Sequence, residues 1–339
     1  MNVEGILMHV GNSSKNNKQI IKKEATLVSK IKPYIFFTRN EININNIIYL
    51  LEHKRNRYIT INKASKLRIN EVDDELIKKP EIKKDIEHIM IKYEEKEGEY
   101  IEGITRFLYN KGEKEYIYGV IETYKYIMGT IYQLQKEGII YNNFSSEKMK
   151  FKDIYNPHCL LYDFETSLME SKINENRTNK NDVIKYFKNF IIKPQNFTFK
   201  PFEVHALFYL YKMEEANLCK YKINQIIDKY VENMKNILKG QTEKTIKKEC
   251  HQYLEQFINK NKEEIMIKLI NHNKTWDNYG VSILYLHLVE NIMQGYKTQM
   301  KFMGLFQEIL HKNLSLNPNQ RMTIEETINK FNDLFQYWS

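Results

Sequence analysis

The sequence predicts an α+β chain with a reduced, strand-bearing N-terminal part over residues 1–98 and a larger, mainly helical C-terminal part over residues 99–339. Three observations carry this. Tyr58–Asn62 and His88–Tyr93 alternate and are rich in β-branched residues, which reads as strand. Ile223, Ile226, Ile227, Tyr230, Val231 and Met234 recur at three-four spacing, as do Tyr253, Phe257, Met266, Leu269 and Ile270, which predicts three or four helices within residues 206–273. Between these regions, residues 134–169 gather candidate chemical groups: Tyr141-Asn142-Asn143, Lys148 and Asp163-Phe164-Glu165. Asn143 and Asp163 lie 20 positions apart, room for a hairpin of two short strands.

This run resembles the catalytic and metal-binding segments of protein kinases, where His-Arg-Asp-x-x-x-x-Asn leads through a hairpin to Asp-Phe-Gly. Three later segments fit the same family in order. Lys200-Pro201-Phe202-Glu203 resembles Ala-Pro-Glu, Trp276-Asp277-Asn278-Tyr279-Gly280-Val281-Ser282 resembles the central helix, and Asn317-Pro318-Asn319-Gln320-Arg321-Met322-Thr323 resembles the turn before the last helix. The resemblance implies a two-lobed protein-kinase-like fold, with residues 206–273 as a helical insertion. An insertion ending in Trp-Asp-x-Tyr-x-x-Ser is similar to the kinase-like proteins of large nucleocytoplasmic DNA viruses. The abundance of Lys, Ile, Asn and Tyr suits an AT-rich genome.

In the N-terminal part the resemblance is weaker, because no Gly-x-Gly-x-x-Gly occurs. Gly5–Val10 is expected as a strand and Lys22–Pro33 as the helix whose glutamate pairs with the nucleotide lysine. That alignment makes Glu24 the glutamate and His9 the residue at the lysine position. The alternative strand Ile20-Ile21-Lys22 puts Lys22 too close to Glu24 to pair with it. Neither alignment supplies a nucleotide lysine. Residues 64–87 are rich in charge and read as a solvated helix or loop.

The loop keeps its spacing and loses its chemistry. A catalytic aspartate accepts the substrate hydroxyl proton, and Asn143 at that position cannot. Lys148 brings an ammonium to the position of a metal-ligating asparagine, where a hard cation wants oxygen. Ser145 stands where a lysine would steady the transferred phosphate. Asp163 alone keeps the metal-binding carboxylate. Glu165 replaces a glycine and adds negative charge. The residues leave two readings of cofactor use, weak binding of ATP with Mg through Asp163 or none.

The groups that are retained hold the larger part together. Tyr141 at the histidine position implies an aromatic ring packing under Phe164. Asp277 would accept hydrogen bonds from the loop backbone. Arg321 would pair with Glu203 in a buried ion pair. Asn142, in place of an arginine, gives a phosphorylated segment nothing to dock on. Together these imply a catalytically impaired kinase-like protein (a pseudokinase) acting as scaffold or regulator through a protein partner. A divergent serine/threonine kinase with weak transfer, and a basic virion or nucleic-acid-associated protein, are the alternatives.

Composition bounds the remaining classes. The formal net charge is +9, yet the basic runs at Lys15–Lys23, Lys244–Lys248 and Lys260–Lys268 carry or adjoin carboxylates, as solvated helix faces do. That argues against a nucleic-acid platform. No run of 18 apolar residues occurs. The first residues lack a basic start before an apolar stretch, which points to the cytoplasm, of a host if the source is viral, or to a virion. Cys159, Cys219 and Cys250 form neither a disulfide framework nor a zinc pattern, and the nine histidines include no His-x-x-x-His. Cys159, in an apolar run, reads as core.

Overall fold

A computed structural model describes residues 6–8, 27–52, 54–67, 86–96, 100–174, 178–192, 197–234, 242–295 and 301–337. The strands are β1 (Ile6–Met8), β2 (Leu27–Pro33), β3 (Ile61–Lys66), β4 (His88–Lys96), β5 (Ile101–Glu102), β6 (Ile139–Ile140), β7 (Met149–Phe151), β8 (Leu160–Leu161) and β9 (Leu168–Met169). The helices are α1 (Phe36–Ile48), α2 (Lys54–Arg57), α3 (Ile104–Leu108), α4 (Glu113–Lys136), α5 (Glu170–Ile173), α6 (Lys180–Ile192), α7 (Phe202–Lys212), α8 (Lys220–Met234), α9 (Glu243–Leu254), α10 (Lys262–Ile270), α11 (Trp276–Gly295), α12 (Lys301–Asn313) and α13 (Ile324–Asp333). The chain is mixed α+β and forms two compact units, residues 1–109 with 147–167, and residues 110–146 with 168–339.

The first unit carries an antiparallel sheet in the order β1-β2-β4-β3. Its core is Val28, Ile59, Ile89, Ile91, Tyr93 and Leu160. The expected helix over Lys22–Pro33 is corrected here: Leu27–Pro33 is a strand, paired along its length with β4. Pro33 is the physical reason. A proline pushes the preceding residue out of the helical region, and its own missing N–H is tolerated at a strand end. Glu24 and His9 lie outside the described residues. The strand expected over Tyr58–Asn62 begins later, at Ile61, while Tyr58 makes a single bridge to Leu161.

The longest helix of this unit among the described residues is α1, although Ile42-Asn43-Ile44-Asn45 alternates as a strand would. Its buried residues Thr38, Glu41, Asn45 and Ile48 nevertheless recur at three-four spacing. The polar ones are satisfied. The Thr38 hydroxyl donates to the Pro33 carbonyl at 2.7 Å, and the Asn45 amide oxygen accepts from the Ile61 N–H at 3.0 Å. The β7–β8 hairpin, register Met149 with Leu161, also belongs to this unit and pairs with β5.

The second unit is built around α11, buried from Trp276 through Leu286. Gly280 suits that position, since a Cβ there would lie 3.2 Å from Phe144 and from the Phe199 carbonyl. Helix α4 ends at Gly138, whose φ of 69° supplies the left-handed turn into β6. Within residues 206–273, α8 buries Ile223, Ile226, Ile227, Tyr230, Val231 and Met234, and α10 buries Met266, Leu269 and Ile270, as their spacing predicts. Cys159 and Cys250 are buried free thiols and Cys219 is exposed. Burial pushes the Cys159 thiol up to about 12. Among the described residues no helix is long and apolar enough to cross a membrane.

Candidate functional site

In the first unit, strand alternation puts Lys32 on the face of β2 that carries Val28. The Lys32 ammonium donates to Glu41 of α1 at 2.8 Å and to Glu165 at 2.6 Å. Glu41 is fully buried and also accepts from the Tyr93 hydroxyl at 3.1 Å. The Glu165 backbone is anchored as well, because the Asn40 amide donates to the Glu165 carbonyl at 3.0 Å and the Ser167 carbonyl at 2.8 Å. Burial alone would pull the Lys32 ammonium below the usual lysine range. The charges of Glu41, Tyr93 and Glu165 outweigh it, so the group titrates well above that range. Glu41 is pushed up by its burial, against the pull of Lys32 and with the help of Glu165 and Asp163.

Asp163 has a φ of 62°, a left-handed conformation that aspartate tolerates better than most residues. Its Oδ2 accepts from the ammonium of Lys148, and both side chains are partly exposed. Phe164 is buried with its ring 6.1 Å from that of Tyr58. The structure therefore gathers three carboxylates, Glu41, Asp163 and Glu165, and two ammonium groups, Lys32 and Lys148. Lys32 and Glu41 had no place in the sequence reading. The findable signal was Pro33, which marks the segment before it as extended and so puts a lysine on a strand next to a helix.

The second unit holds the other half of the loop. Tyr141 is buried with its ring 4.9 Å from that of Phe144. Asn142 is left-handed, with a φ of 50°. Asp277 accepts both the Tyr141 and the Asn142 backbone N–H groups, each at 2.7 Å. Burial pushes this carboxyl up to about 6 despite those bonds. Lys200 is buried beside it, and its ammonium donates to the Asn142 carbonyl and, at 2.7 Å, to the Asn142 side-chain oxygen. Desolvation lowers Lys200 to about 8, although the charge of Asp277 works the other way. Asn143 follows, half-buried.

Glu203 and Arg321 meet in a two-pronged pair, 2.5 and 2.9 Å, with both side chains buried. The Trp276 indole N–H adds a third bond to Glu203 at 3.0 Å. A polar network that the motifs do not reveal fastens the same helix to the chain end. The Asn278 amide donates to the Met322 carbonyl and Thr327 hydroxyl, while Asn313 donates to Asn278 and Ser282.

The geometry can hold charge, but the supply of open ligands is small. Of the residues singled out from sequence, Asp163 and Lys148 are brought together, as are Glu203 with Arg321 and Asp277 with the loop backbone. Among the described residues no group of three or more His, Cys, Asp or Glu could hold a metal. In comparisons with known proteins, no family model and no curated protein matches the chain.

Two consequences are measurable. Arg321→Met leaves Glu203 buried without its cation and lowers unfolding stability by about 3–5 kcal/mol in urea titrations, whereas Glu203→Gln combined with Arg321→Met recovers much of the loss. Lys200 binds its proton more weakly in the folded chain, at about 8 against an ordinary 10.5. Between these values the unfolded chain holds more protons, so this group makes stability rise with pH, by roughly 1–2 kcal/mol from pH 8 to 9.5. In Lys200→Met that increment disappears, as urea titrations at the two pH values would show.

Proposed function

We propose that this chain is a catalytically impaired protein-kinase-like protein that works by contact with a protein partner. The observation that carries the reading is the ion pair of Lys148 with Asp163. If Asp163 stands at the metal position, an ammonium of the chain itself already neutralises it. Magnesium demands oxygen ligands in near-octahedral geometry, so it would have to displace that ammonium and find its remaining ligands elsewhere. Lys32 is committed in the same way. A nucleotide phosphate would compete for it with two carboxylates, one of which, Glu165, adds repulsion.

Asn143 supports the same reading from the chemical side, since an amide cannot take the substrate proton. The retained interactions, Asp277 on the loop backbone and Glu203 with Arg321, are those that keep a large helical body folded. A folded body with a self-neutralised charge cluster is suited to presenting surface, and the helices of residues 206–273 enlarge that surface.

One observation favours a second reading, a divergent kinase with weak ATP-dependent transfer. A strand lysine paired with a helix glutamate is the arrangement that holds nucleotide phosphates in kinases, and Lys32 with Glu41 has that form. Calorimetric titration with ATP, with and without magnesium, separates the two. The impaired reading expects no magnesium-dependent heat up to millimolar ATP in the native chain. It expects such binding to emerge when Lys148→Asn and Glu165→Gly are combined. Magnesium-dependent binding by the native chain that Asp163→Ala abolishes would overturn it in favour of the second reading.

A further inference from the structure

Helices α7 and α8 of the second unit line a cavity of about 620 Å³. Helix α7 turns one face to it, His205, Phe208, Tyr209 and Lys212, at positions three and four apart. Helix α8 contributes Ile226 and Tyr230 in the same way. The floor is closed by rings: His205 packs edge-on against Tyr230 at 4.8 Å, and the Tyr230 hydroxyl faces that of Tyr279 at 3.4 Å. A volume of this size suits a small organic ligand, which typically takes roughly 300–1,000 Å³ with an apolar lining and a few polar groups.

The charges are distributed in a way that selects among such ligands. Three lysines line the cavity, Lys212, Lys222 and Lys229, against two carboxylates, Glu214 and Glu215. Lys222 is paired with Glu215 at 3.0 Å, and Lys229 with Glu232 at 2.7 Å. Lys212 is exposed, lies 4.1 Å from the centre of the Phe208 ring, and has no carboxylate partner among the described residues; Glu214, beyond the end of α7, is exposed too and makes no ion pair with it. An apolar body entering between the helices would therefore leave its polar end beside an ammonium with no internal counter-charge. We infer that the α7–α8 cavity is a binding site for a small amphiphile with an acyl or aromatic body and one anionic head, the body against the half-buried rings of Phe208 and Tyr209 and the head at Lys212. This site belongs to the second unit alone and does not depend on the kinase-like reading.

The test uses the full chain with decanoate and with decylammonium as probes, followed by calorimetry and, for an aromatic body, by the fluorescence of anilinonaphthalene sulfonate. Decanoate is expected to bind one to one and to displace the dye, with decylammonium at least about tenfold weaker. Phe208→Ala, at a half-buried ring of the lining, removes the apolar wall and weakens decanoate binding by about tenfold or more. Lys212→Glu, at an exposed position where folding is not at stake, weakens decanoate binding by about tenfold or more. No decanoate binding at millimolar concentration, binding unchanged in both variants, or decylammonium binding as tight as decanoate would each overturn the assignment.

Discussion

Asp277 is the constraint on which the second unit depends. It is buried at the start of the unit's central helix, and a buried carboxylate is stable only where hydrogen bonds replace water. The bonds come from the backbone of Tyr141 and Asn142, so the loop must present two consecutive N–H groups to one carboxylate. Asn142 enters the left-handed region at that point, a conformation its short polar side chain tolerates. That geometry in turn leaves the Asn142 carbonyl and side-chain oxygen facing Lys200, whose ammonium is buried among them. A single buried charge thus dictates a loop conformation, and the loop conformation recruits a second buried charge from the segment before α7.

The first unit solves a related problem differently. Lys32 and Glu41 are both withdrawn from water, and burying either alone would be costly. Two carboxylates share the one ammonium, and the Tyr93 hydroxyl shares Glu41. Because Glu165 also anchors its backbone carbonyl on Asn40, the cluster ties a strand, a helix and the turn after Asp163 in one network. Changing one member leaves a charge without its partner, so the network resists piecemeal substitution.

What could be read from sequence follows from how locally each feature is encoded. The helices of residues 206–273 were legible because their apolar residues keep three-four spacing and are in fact the buried ones. Strand β4 was legible from its alternation. Glu203, Asp277 and Arg321 were legible because each sits in a short run of distinctive residues. Helix α1 was not, since its buried face is largely polar and its isoleucines alternate with asparagines. Whether Asn40 and Asn45 point inward depends on partners such as the Ser167 carbonyl and the Ile61 N–H, which lie far away in sequence. Reading Lys22–Pro33 as a helix then hid Lys32, and with it the pair that α1 completes. The short strands between Asn143 and Asp163 were legible only as a spacing, because two or three residues carry no periodicity of their own.

The lysines of this chain show why a count of charges says little about function. A net +9 suggests a polyanion partner, yet several ammonium groups among the described residues are already taken up by neighbours. Lys32 and Lys148 are consumed by carboxylates, Lys200 by carbonyl oxygens in the interior, and Lys222 and Lys229 by Glu215 and Glu232. What remains available for recognition is set by the exceptions. Lys212 is such a case, exposed at the edge of an aromatic cavity. Its positive charge has low-polarity surface on one side and water on the other, the situation in which an ion pair with an amphiphile gains most, because the ligand's body removes water from the contact as its head arrives.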